Sequence, residues 1–142
     1  GILGELNERQ RESVGGIING GRQLLDMVGE ILTYARGAAN QLTLVLAPVE
    51  LGEVVARVRA LNESLVARKG LVLEIDVPPS LPAVVADREK VAHVLGNLLG
   101  NAIDFTPPEG RVWITAREVH GPDGAAILLE VGDSGIGIAP EH

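Results

Sequence analysis

Between Val14 and Ala35 the apolar residues recur at alternating steps of three and four. They are Val14, Ile17, Ile18, Leu24, Leu25, Val28, Ile31, Leu32 and Ala35, with Gly21 filling one more slot. That spacing is a heptad seam. It predicts one long helix over about residues 7–41, with Glu12, Arg22, Gln23, Asp26 and Glu30 on its other faces. A continuous apolar stripe is costly in water, so the helix needs partner helices. Gly15, Gly16, Gly20, Gly21 and Gly29 each weaken the helix by up to ~1 kcal/mol relative to Ala. They leave room either for close helix approach or for a less rigid rod.

After Gly37-Ala38-Ala39-Asn40 the pattern changes. Leu42, Leu44 and Leu46 alternate, which predicts a short strand ended by Pro48. A second helix is expected over about residues 51–68, with Leu51, Val54, Val55, Val58, Leu61 and Leu65 inward and Gly70 as its stop. A strand follows over residues 71–77, then a rigid turn at Pro78-Pro79-Ser80-Leu81-Pro82 and a very short strand at Val84 and Val85. Asp87 suits the N-cap of a third helix over about residues 88–105. Two strands close the pattern, 111–119 and 125–132, joined by the turn formers His120-Gly121-Pro122-Asp123-Gly124. This order predicts an α+β fold, a mixed sheet covered on one face by helices, with the first helix standing apart. The expected domains are residues 1–41 and 42–142.

Composition removes several function classes. The 142 residues suffice for one domain, or for a small domain with an appendage. Only 2% are aromatic, so the core must be built from Leu, Val, Ile and Ala. A net charge of −7 argues against nucleic acid, which needs a basic surface. It also fits poorly with an anionic membrane surface. With no cysteine, neither a disulfide frame nor a thiolate metal site can form. No apolar run approaches the ~20 residues of a membrane span. A cytoplasmic location is expected, with any anchor of a parent protein lying elsewhere.

Two constellations could carry chemistry. On the third helix His93, Asn97 and Asn101 stand four apart and share one stripe. A buried amide must find partners, and an Asn oxygen is a suitable hard ligand for Mg²⁺. Spacing alone leaves a second reading open, in which both amides cap loops or face solvent. The other constellation is Asp133-Ser134-Gly135-Ile136-Gly137-Ile138, directly after a strand. Its carboxylate could accept a hydrogen bond from an exocyclic amine, and its glycines could let a ligand approach the backbone. An ordinary turn would look the same.

Together, in this order, the two are far more specific. "DREKVAHVLGNLLGNAIDFTPPEG" resembles the N box of sensor histidine kinases, and "VGDSGIGIAPEH" resembles their first glycine box. "RESVGGIINGGRQLLDMVGEILTYARGAANQLTL" resembles the second helix of their dimerisation domain and its link to the ATP domain. The resemblance implies a Bergerat-type ATP-binding sandwich, as in gyrase, Hsp90 and MutL, here only its N-terminal portion. It implies ATP and Mg²⁺ as cofactors, with Asn101 as the metal-binding asparagine and Asn97 near metal and phosphates. Asp133 would read the adenine amine, and Gly135 and Gly137 would form the adenine-side turn. His93 matches a position that is often polar and is expected to be a partly buried helix residue. The implied partners are a second copy through the first helix and the receiver domain of a response regulator. Gyrase-like ATPases carry a Glu at the position of Asn97 as general base. An amide cannot serve as that base, so transfer to a protein side chain fits better than hydrolysis.

The chain departs from that pattern in four ways. The phosphoacceptor histidine belongs to the family's first dimerisation helix, whereas the histidines here are His93, His120 and His142. The phenylalanine-containing box, ATP lid and second glycine box are not found in residues 1–142. Asp104 stands where the family usually has Lys or Arg near the phosphates; it would repel phosphate, unless it points to solvent. The Gly-rich first helix would pack less tightly than usual. The expectation is therefore a sensor histidine kinase fragment with little kinase activity by itself and no catalytic residue of its own. The competing readings are a non-catalytic dimerisation scaffold with a degenerate ATP site, and a gyrase-like ATPase.

Overall fold

The structure, a computed structural model, describes residues 4, 6–38, 43–121 and 124–137. The chain divides into two units, Gly1–Thr43 and Leu44–His142.

The first unit contains α1, Glu8–Ala38. Its start is a reciprocal cap: Gln10 N–H donates to Asn7 Oδ1 at 2.9 Å, and Asn7 N–H donates to Gln10 Oε1 at 3.0 Å. That exchange satisfies donors that the first helical turn would otherwise leave open. The helix continues through Gly37 and Ala38, where a break was expected; residues 39–42 lie outside the described residues. The described large apolar side chains of the seam are exposed. Ile17 is 74% exposed, Leu25 73% and Ile31 66%.

The second unit is built around a three-stranded sheet. Strand β1 (Ala47–Val49) leads to α2 (Leu51–Lys69), β2 (Val72–Asp76), β3 (Val84–Ala86), α3 (Arg88–Phe105), β4 (Arg111–Gly121) and β5 (Gly124–Asp133). The sheet order is β2-β4-β5, with β2 parallel to β4 and β5 antiparallel to it. The mixed α+β sheet expected from the sequence is therefore present. Val112, Ile114 and Ala116 alternate along β4 into the core, against Val54, Val55, Val58, Leu95, Leu99 and Ile103 of the two helices. Trp113, between them, faces the other side, over Gly132 of β5.

Three local expectations are corrected. Leu44 and Leu46 are exposed and not in a strand; β1 begins at Ala47 and contains Pro48, which pairs with Val85. A proline is tolerated in a strand where its missing N–H is not needed, as in this two-stranded ribbon. Leu61 is 74% exposed, while Val66 is buried. The inward stripe passes from Val58 through Asn62, whose side-chain amide donates to Val58 O, and on to Leu65 and Val66. Finally, β4 and β5 extend to Gly121 and Gly124, so His120 and Gly121 are paired strand residues. Pro122 and Asp123 of the expected loop lie outside the described residues.

The start of α3 follows the sequence closely. Asp87 Oδ1 accepts from the amides of Glu89 and Lys90, and its Oδ2 accepts from Val45 N–H at 3.0 Å. The Val45 N–H foremost, and then those of Lys90 and Glu89, hold this carboxyl below its ordinary value. Two ion pairs of 2.7 Å, Arg57–Glu89 and Arg88–Glu53, tie α2 to the same end of α3. The Arg57 guanidinium lowers the Glu89 carboxyl, and Glu89 raises Arg57 in turn.

Candidate functional site

Helix α3 divides its residues cleanly between two environments. Leu95, Leu99, Ala102 and Ile103 are buried against the sheet. His93, Asn97 and Asn101 form an exposed stripe beside Val94, Leu98 and Phe105, which are also exposed. His93 is thus more exposed than the partly buried position expected for it. Asp104 is exposed as well, close to the helix end.

Asp133 is the last residue of β5 and pairs with Val112. Directly opposed residues of an antiparallel pair share a face. The Asp133 carboxylate therefore leaves the sheet on the side of the buried Val112, which is the side α3 covers. Beyond it the chain folds into a turn. Asp133 Oδ1 accepts from Gly135 N–H at 2.8 Å, which aims the carboxylate along the turn. Gly137 has φ +71°, a left-handed conformation that favours glycine.

This turn is fastened to two other segments. Ser134 N–H donates to Arg111 O at 2.9 Å, and Arg111 N–H donates to Ser134 Oγ at 2.8 Å. Ile136 N–H donates to Phe105 O, the last residue of α3, at 3.4 Å. The contact is so close that a Cβ on Gly135 would lie 2.5 Å from Phe105 O and 2.7 Å from Asp133 Oδ1. Gly110 is similarly confined, since a Cβ there would lie 2.3 Å from Thr106 Cγ2 and 3.1 Å from Ser134 Oγ. The end of α3 and the turn after β5 are thus joined at the backbone.

Asn101, four residues before Phe105, and Asp133, two before Gly135, consequently belong to one end of the sheet and one side of it. The group lying against Gly135 is the main-chain Phe105 O, and Gly137 is left-handed. A groove of about 450 Å³ lies between α3 and β5, lined by Val94, Leu95, Leu98, Leu129 and Val131 among others; Asn97, Asn101 and Asp133 do not line it. Among the described residues no group of three or more His, Cys, Asp or Glu could hold a metal ion. A cation held here would need ligand oxygens from a bound anion besides the Asn amides.

The sequence alone did not single out Phe105 O, Ser134 or Arg111. Backbone carbonyls carry no sequence signal. Ser134 had a faint one, because a hydroxyl beside a turn commonly bonds nearby backbone.

Residues 86–142 match the family described as "Histidine kinase-, DNA gyrase B-, and HSP90-like ATPase". The non-motile and phage-resistance protein of Caulobacter vibrioides is 38% identical over 125 residues, which is 88% of this chain and 15% of that protein. The histidine protein kinase DivJ of the same organism is 32% identical over 140 residues, covering 99% of this chain and 23% of that protein. Full-length ShkA, solved in complex with AMPPNP, superposes with a TM-score of 0.78 at 32% identity, over 98% of this chain and 29% of that one. The histidine kinase ThkA, solved in complex with the response regulator protein TrrA, gives 0.71 at 25% identity, over 98% and 39%. The chain spans less than a quarter of the length of the two Caulobacter relatives.

Proposed function

The chain belongs to the sensor histidine kinases through its ATPase domain, and from that premise we propose that its second unit binds ATP with Mg²⁺ where α3 meets the Asp133–Gly137 turn. The observation that carries this reading is the backbone junction of Phe105 with Gly135 and Ile136, which brings the Asn101 and Asp133 ends of the site together. Asp133 accepts a hydrogen bond from the exocyclic amine of adenine. Gly135 lets the turn lie directly against Phe105 O, where a side chain would clash. Asn101 offers its amide oxygen to Mg²⁺, and Asn97 lies one turn away toward the phosphates. When bound, Mg–ATP supplies the phosphoryl group, and the protein's part is positioning and charge neutralisation.

In the parent protein the phosphoryl group passes to a histidine and then to an aspartate of a response regulator receiver domain. The exposed seam of α1 pairs with a second copy, as the second helix of a helical-hairpin dimerisation domain. The location is cytoplasmic; among the described residues no helix is long and apolar enough to cross a membrane. Residues 1–142 alone transfer little or no phosphate.

Calorimetric titration of the chain with Mg²⁺ and a non-hydrolysable ATP analogue tests the reading. Binding that depends on Mg²⁺ and is lost in both Asn101→Ala and Asp133→Ala is expected. No binding at millimolar nucleotide would sink it and leave the scaffold reading.

A further inference from the structure

Lys69 is the last residue of α2, and among the described residues its ammonium pairs with no carboxylate. Its Nζ donates to Ile103 O at 2.6 Å and to Asp104 O at 2.7 Å, two of the last carbonyls of α3. Those carbonyls have no partner within their own helix and carry the negative end of its dipole. Helix α3 has no basic residue in its own last turn to offset that charge. Asp104 adds a carboxylate to the same turn. The cation that the end of α3 lacks is therefore supplied from α2.

The neighbouring carbonyls of this turn are also committed. Ala102 O accepts from the Thr106 hydroxyl at 2.6 Å and from Thr106 N–H at 3.2 Å, and Phe105 O accepts from Ile136 N–H. The run from Ala102 to Phe105 is thus held on both sides, by Lys69 and by the turn after β5. Asn101 immediately precedes that run. Charge-assisted bonds such as those of Lys69 are about twice as strong as neutral ones. The exposed ion pairs Arg57–Glu89 and Arg88–Glu53, at the other end of α3, contribute little by comparison.

We infer that Lys69 is a positioning residue of the nucleotide site: by clamping Ile103 O and Asp104 O it sets the last turn of α3, and with it the place of Asn101 relative to the Asp133–Gly137 turn. The inference rests on the nucleotide-binding reading above for its functional meaning. Its structural half is measurable without any nucleotide. Lys69 acts on the turn through the main-chain atoms Ile103 O and Asp104 O.

The test compares Lys69→Met, Lys69→Arg and Arg57→Met in the full chain. Amide exchange is followed at Gly135 and Ile136, with Ile114 in the centre of the sheet as reference. Affinity for Mg²⁺ with a non-hydrolysable ATP analogue is measured in parallel. Lys69→Met is expected to speed exchange at Gly135 and Ile136 about tenfold while leaving Ile114 unchanged, and to weaken nucleotide binding about tenfold. Lys69→Arg, which keeps a charged donor, is expected to stay within about threefold of wild type in both. Arg57→Met, which cuts only the distant α2–α3 tie, is expected to change neither. Unchanged exchange at Ile136 in Lys69→Met, or equal acceleration in Arg57→Met, overturns the inference. So does failure of the arginine to rescue. If the wild-type chain binds no nucleotide, the nucleotide reading falls, and the exchange data alone decide whether Lys69 sets the turn.

Discussion

Placing a methyl group on Gly135 probes the junction on which the site depends. In Gly135→Ala the new Cβ would stand 2.5 Å from Phe105 O, 3.0 Å from Phe105 C and 2.7 Å from Asp133 Oδ1. Phe105 O is main chain at the end of a helix, so it cannot swing aside as a flexible side chain would. Two forms of relief exist. If the contact is kept, the backbones must part by roughly 0.9 Å, and such overpacking costs typically ~1–3 kcal/mol. If the turn is released, the bonds Gly135 N–H to Asp133 and Ile136 N–H to Phe105 are lost, at ~1 kcal/mol each. Either route leads to a loss of about 2 kcal/mol. Urea unfolding followed by tryptophan fluorescence measures it, because Trp113 in β4 is the chain's one tryptophan and reports on the second unit. Gly137→Ala is the comparison. Among the described residues it meets no atom within 4 Å, and its left-handed φ of +71° costs about 1–2 kcal/mol. A Gly135→Ala variant within about 0.5 kcal/mol of wild type would refute the close-approach argument, since that is the range of inconsequential surface changes. Nucleotide affinity should fall with stability in Gly135→Ala, because the displaced Asp133 carboxylate is the adenine reader of the proposed function.

Three further outcomes follow from the fold. Leu99→Ala removes a side chain of 0% exposure between α3 and the sheet, and should cost ~2–5 kcal/mol by the same fluorescence assay. Glu109 holds φ +67° without being a glycine, so Glu109→Gly should raise unfolding stability by up to ~1 kcal/mol, less the entropy glycine adds to the unfolded chain. Asp87→Ala should lower the melting temperature at neutral pH, because the amides of Glu89, Lys90 and Val45 lose their acceptor. The folded carboxyl lies below its ordinary value, so its stabilisation is complete above that value, ~3.9, and is lost as pH falls through the lower folded one. The gap in melting temperature between Asp87→Ala and wild type should therefore close in that acid range.

Local and periodic features are legible in the sequence. The three helices follow from three-and-four spacing, because a helix must turn its apolar residues to one side. Asp87 can be read as a cap because its short carboxylate needs only the amides two and three residues ahead. Asn97 and Asn101 can be placed on one stripe, and Asp133 at a strand end, for the same reason: each involves a few residues of one element. Pro48 misleads, since a proline that ends a central strand is tolerated in a short ribbon. Leu61 misleads as well, because the stripe of α2 drifts past it to Leu65 and Val66.

What the tertiary structure alone decided is how the two constellations meet. The register of β4 on β5 puts Asp133 opposite Val112, and so on the helix side of the sheet. One residue of slip would have turned it to the other face. The contact that joins α3 to the turn runs through Phe105 O, and Lys69 reaches the same helix end through Ile103 O and Asp104 O. Every residue has a carbonyl, so no residue type marks these. The sequence alone determined on which elements Asn97, Asn101 and Asp133 stand. Only packing decided that α3 ends against the turn after β5, because that depends on long-range strand register and main-chain hydrogen bonds.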